Sequence, residues 1–139
     1  MIKKRLKSDI KKKVVRYAKL LGISDYKFEV DIVLPSKIKK KDKISGSYAT
    51  VYVDEETRTA DIELNKKLLL ESPKELDSTI AHELLHVRFN ELDEFVHFLI
   101  KTYVKDEKAR KTYRNQMELL EHKNIIALIE LVIKSGKLN

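Results

Sequence analysis

His82, Glu83 and His86 stand in the order H-E-x-x-H inside the run Ser78 to Val87. On a helix, residues four apart share a face, so both imidazoles would point at one ion. Glu83 would reach a water beside that ion. The chemistry is metal-assisted hydrolysis of a peptide bond. Zinc lowers the pKa of water toward neutrality and polarises the scissile carbonyl, while Glu83 takes the water's proton. Glu83 would then pass that proton to the leaving amine. Ala81 precedes the first His, Leu84 and Leu85 fill the middle, and no Gly or Pro interrupts the motif.

A catalytic zinc needs three protein ligands and one open position. The chain has no cysteine, so every ligand must be nitrogen or oxygen. The short-gap Gly and third His of a metzincin are absent, with Asn90 and Leu92 near those places. His97, in the run Phe95 to Ile100, is one candidate third ligand. Glu118 and Glu121 are the others. They head a helical stripe with Ile125, Leu128 and Val132 that should pack on the core. Carboxylates at its end then point inward, where an unpaired charge is costly and a metal would resolve the cost. Glu121 adjoins the apolar part and is preferred over Glu118. Were Glu118 the ligand, His122 one turn later would support it. Tyr103 and Tyr113 are candidates to stabilise an oxyanion opposite the metal.

These residues need elements to position them. Leu6, Ile10, Val14, Tyr17 and Leu21 predict an amphipathic helix from about Ile2 to Leu21, stopped at Gly22. Tyr26 to Leu34 alternates and reads as a strand ended by Pro35. Ser36 to Lys43 reads as a lysine-rich loop. Ser47 to Val53 and Thr59 to Leu64 read as strands, joined through Asp54 to Arg58 as a hairpin. Ser72, Pro73 and Glu75 predict a capping box opening the motif helix. In that helix Leu76, Ile80, Leu84 and Val87 face the core, and His82 and His86 face a cleft. A further helix is expected from Glu91 to about Tyr103, and a last one from about Lys108 to Lys134, ended near Gly136. The fold class is α+β: a small twisted sheet of three or slightly more strands on the motif helix and a C-terminal helix, in one domain over 1–139. Within it, 1–22 is a basic N-terminal helix and 23–139 the core.

The 139-residue chain suits one domain with a modest core. Its N-terminus is basic without an apolar h-region, and no run reaches transmembrane length, so a soluble cytoplasmic protein is expected. The net charge of +7 is uneven. Residues 1–45 hold 15 Lys or Arg against 5 Asp or Glu, and the rest of the chain 14 against 17. That excess would attract nucleic acid weakly, or would simply be a solvated helix face and loop.

The motif resembles the gluzincin clan of zinc peptidases, and the short length and element order resemble the minigluzincins. The resemblance covers roughly residues 26 to 134, with its strong part at His82 to His86. It implies a zincin-like fold, His82 and His86 as zinc ligands, Glu83 as general base and Glu121 or Glu118 as third ligand. The classical gluzincin sequence Asn-Glu-x-x-Ser-Asp is absent. The resemblance also implies that the strand before the motif helix, Thr59 to Leu64, rims the cleft and pairs an extended peptide along its edge. It further implies that a terminus, either Ser135 to Asn139 or the basic helix, can block the cleft and leave the enzyme latent. The substrate class is peptide or unfolded protein. The competing expectation is a non-enzymatic zinc module with a nucleic-acid-binding N-terminus. An intact Glu83 argues against it, since a structural site needs no general base. The sequence sets neither cleavage specificity nor oligomeric state.

Overall fold

The computed structural model describes residues 2–34 and 48–138. The loop expected at Ser36 to Lys43, with Pro35 and Ser47, lies outside them. Helix α1 (Ile2–Leu20) buries Ile10, Val14, Tyr17 and Ala18 and leaves most of its lysines in solvent. It ends in a Schellman turn: Gly22 takes φ +70°, and the Ile23 N–H donates to the Ala18 carbonyl at 3.0 Å. Glycine adopts that left-handed conformation without a Cβ penalty.

Strands β1 (Lys27–Val33), β2 (Ala49–Asp54) and β3 (Thr59–Asn65) form one sheet in the order β1-β3-β2. β3 pairs parallel with β1 and antiparallel with β2. This corrects the expectation that Thr59 to Leu64 offers a free edge. The cause lies in the alternation. Phe28 and Val30 stand beside Ala60 and Ile62 in register, so pairing on that side joins two buried faces. Among the described residues β3 is therefore the inner strand, and β2 is an edge.

The β2–β3 turn is tied at several points. Asp54 Oδ1 accepts from the Glu56 and Thr57 amides. Arg58 adopts φ +53°, a costly conformation for a residue with a Cβ. Its guanidinium lies 4.0 Å above the Tyr26 ring and pairs with Glu55, Asp25 and Glu91. Those contacts hold the strained residue in place.

Two local expectations give way after β3. A short helix α2 (Lys66–Glu71) intervenes, capped by Asn65, whose side chain accepts from the Lys67 amide at 2.8 Å. The capping box at Ser72 does not form. The Ser72 hydroxyl lies 3.3 Å from that of Tyr48, and Pro73–Glu75 makes a 3-10 turn before α3 (Leu76–Tyr103). The helix expected from Glu91 is α3 continued, since no Gly or Pro falls within it. Helix α4 (Glu107–Leu138) runs back along it and passes through Gly136 instead of stopping there. A Cβ on Gly136 would lie 2.4 Å from Tyr17 Cε1, so this glycine permits a close approach of α4 to α1.

The core lies between the sheet and the helices. Ile62 and Leu64 meet Tyr17, Ile80, Leu84 and Val87, all essentially inaccessible to solvent. Truncating one such residue, for example Leu84→Ala, costs about 2–5 kcal/mol. The site on the opposite side of α3 thus stands on a rigid backing. Among the described residues, no helix is long and apolar enough to cross a membrane.

Candidate metal centre

The buried stripe of α3 fixes its rotation, and that rotation turns His82 and His86 to one side. Their Nε2 atoms stand 3.0 Å apart. Two imidazoles on one tetrahedral zinc, each bonded at about 2.0–2.1 Å, would be separated by roughly 3.3 Å. Two donor atoms therefore already converge as an ion requires. His82 is pushed down to about pKa 4 by burial, then by the nearby His86 and His122 rings. It is neutral at ordinary pH, with its lone pair available to a metal.

Glu121 reaches the pair from α4. Its Oε1 lies 3.0 Å from His86 Nδ1. Accepting from an Nδ1–H leaves His86 Nε2 bare and aimed toward His82, which is how a carboxylate orients a metal-binding imidazole. Burial would raise the Glu121 carboxyl, but hydrogen bonds with His86 and Asp93 outweigh that and hold it low. Asp93 shifts the other way: burial raises it, and the Glu121 charge beside it adds to the rise. His122 places its ring edge-on to His82, with centroids 5.9 Å apart.

Glu83 is buried, at 4% exposure, and lies one position along from His82. It lines the cleft on both of its flanks. On one side the walls are Val51, Val53, His86, Asn90, Asp93 and Glu121. On the other they are Tyr48, Ala49, Ser78, Thr79, His82 and Ile129. The groove thus follows α3, with edge strand β2 on one bank and α4 on the other.

His82, Glu83, His86 and Glu121 lie along one cleft, with Glu121 on the rear nitrogen of His86. Glu118 does not join them; it is exposed on α4 and lines neither flank of the cleft. His97 is half-buried further along α3, near enough for its charge to lower the Glu121 carboxyl. Tyr103 and Tyr113 are 74% and 54% exposed and line neither flank. Asn90 and Asp93 were not anticipated. Their spacing from His86, four and seven residues, marks the same helical face, but a helix boundary expected at about Glu91 hid it.

Among the described residues, no group of three or more His, Asp or Glu side chains closes on one point. The donor chemistry still fits zinc: two convergent imidazoles, one neutral by environment, a carboxylate touching the rear of His86, and no thiolate competing. No family model, no curated protein and no solved structure matches the chain.

Proposed function

We propose that this chain is a zinc-dependent peptidase with a zincin-like fold and a gluzincin-like arrangement of residues. The observation that carries the reading is the 3.0 Å approach of the His82 and His86 Nε2 atoms beside a buried glutamate on the same helical turn. His82 and His86 would hold the ion. Glu121 would complete the donor set or fix the His86 imidazole from behind. Bound zinc supplies Lewis acidity, lowering the pKa of water and polarising a carbonyl.

The chain's own groups carry the remaining work. Glu83 accepts a proton from the attacking water and returns it to the leaving amine. Its side chain is buried beside the two imidazoles, within reach of a water between them. Among the described residues β2 stands at the edge of the sheet, with Val51 and Val53 in the cleft wall. An extended peptide would add there as a further strand, which favours unfolded segments as substrates.

The test is zinc content by elemental analysis together with cleavage of an unfolded protein. Wild type should hold one zinc and cut. Glu83→Gln should hold zinc and lose at least about 10²-fold in rate. A wild-type chain that binds no zinc when zinc is supplied defeats the reading.

A further inference from the structure

The α3–α4 hairpin outgrows the core that supports it. The core cluster claims no α3 residue beyond Val87. Outside that cluster, Ile100 is buried near the tip of the hairpin, and Ile125 is buried on α4 one turn beyond the Glu121–His86 contact. The remaining faces of the two helices are not correspondingly polar. On α3, Leu92, Phe95 and Leu99 follow one another at helical spacing and are 36–58% exposed. On α4, Tyr113, Leu120 and Leu131 are 52–60% exposed. Isolated surface apolar residues need no explanation, but an ordered stripe does.

The two stripes lie on one face. At about 100° per residue, the α3 stripe sits roughly a quarter turn from Ile100 and the α4 stripe roughly a third of a turn from Ile125, in the same sense. The helices are antiparallel, so rotations in the same sense away from these buried positions reach the same side. On α3 the position of Leu99 is nearly half a turn from that of Asn90, so there the stripe points away from the cleft. Neither stripe contains a charged residue.

The α4 stripe has a further regularity. Positions 113, 117, 120, 124, 127 and 131 are spaced four, three, four, three, four: the heptad seam of a coiled coil. All its side chains are apolar except Asn124, which is exposed. A single Asn within such a seam favours a partner presenting an amide at the same place. A second copy of the chain does so by symmetry. The size also agrees. The exposed parts of these large side chains amount to on the order of 700 Å², near the roughly 800 Å² per partner of a standard interface.

We infer that this face of the α3–α4 hairpin binds a second copy of the chain, with Asn124 of the two copies meeting at the two-fold axis. Sedimentation equilibrium of the full chain should return twice the mass of the 16.3 kDa chain. Leu120→Glu should return the mass of one chain with helicity and zinc binding unchanged. Phe95→Glu, on the other helix, should do the same, so the result does not hang on the folding of one variant. The chain has no cysteine, so Asn124→Cys reports proximity cleanly and should give a covalent dimer under mild oxidation. A wild type of single-chain mass at all concentrations overturns the proposal. So does a dimer that survives both glutamate substitutions, or an Asn124→Cys dimer that fails to cross-link.

Discussion

Glu121 Oε1 accepts from the rear nitrogen of His86 at 3.0 Å, joining α4 to α3 across 35 positions of sequence. The contact leaves the His86 Nε2 as an acceptor facing His82 Nε2, 3.0 Å away. It also separates two roles for the carboxylate. A ligand would sit on the Nε2 side; an orienting partner sits where Glu121 is found.

That separation is measurable. His82→Ala and His86→Ala should abolish stoichiometric zinc binding. Glu121→Ala should weaken zinc by about 10–100-fold if it acts on His86 from behind, and should abolish stoichiometric binding if it is a ligand. Glu118→Ala, at an exposed position, should leave affinity unchanged. Competition titration against a chromogenic chelator reads all four. An unaltered affinity in Glu121→Ala would remove Glu121 from the site.

The legible parts of this fold were those with a period. Ile10, Val14 and Tyr17 marked the inner face of α1, and Ile80, Leu84 and Val87 that of α3, because burial in a helix repeats with the backbone. The motif histidines followed from the same geometry. Sheet order was not legible, since alternation in β3 tells which residues are buried and not which strands flank it. The Ser72 capping box failed because Tyr48, far off in sequence, competes for the hydroxyl. Glu121 was accessible as the end of a stripe. Asn90 and Asp93 were not, because a long helix with no internal stop signal was divided in two.

Asp77 links α3 to α1 by accepting from Lys13 Nζ at 2.8 Å and the Tyr17 hydroxyl at 3.0 Å. Burial alone would raise its carboxyl, yet these bonds outweigh burial and hold it below its ordinary 3.8. The folded form therefore binds the proton less well than the unfolded form. The stabilisation is present above the ordinary carboxyl pKa and is lost as pH falls through the lower folded value. Asp77→Asn should cost about 1–2 kcal/mol near neutrality, and its deficit should shrink toward zero in strong acid. Urea denaturation of both proteins across acid pH checks this; a constant difference would dissociate the deficit from ionisation.

Glu55 gathers the β2–β3 turn and α3. Its carboxylate accepts from Tyr26 at 2.6 Å, from Arg58 at 2.7 Å and from Asn90 at 2.9 Å. Asn90 also lines the cleft. Glu55→Ala strips a shielded Tyr hydroxyl and an Arg of their partner, and should destabilise the fold by about 2–4 kcal/mol. With β2 less firmly held, KM for an unfolded substrate should rise more than kcat falls. Thermal melts and steady-state kinetics test the two parts; an unchanged KM would mean that the turn does not position the substrate strand.

Gly136 sets two known tendencies against each other. In a helix interior, Gly→Ala usually gains about 1 kcal/mol from propensity and lost chain entropy. Here the new methyl would lie 2.4 Å from Tyr17 Cε1 and 3.1 Å from Cδ1. The Tyr17 ring is inaccessible to solvent, and its hydroxyl is held by Asp77, so it cannot swing aside. Overpacking at such a contact costs about 1–3 kcal/mol, which exceeds or cancels the helical gain. Gly136→Ala should therefore lower the urea midpoint or leave it unchanged. Tyr17→Phe should not relieve the substitution, since the clashing ring atoms remain. A clear rise in the midpoint of Gly136→Ala would mean that α4 does not approach α1 this closely in solution.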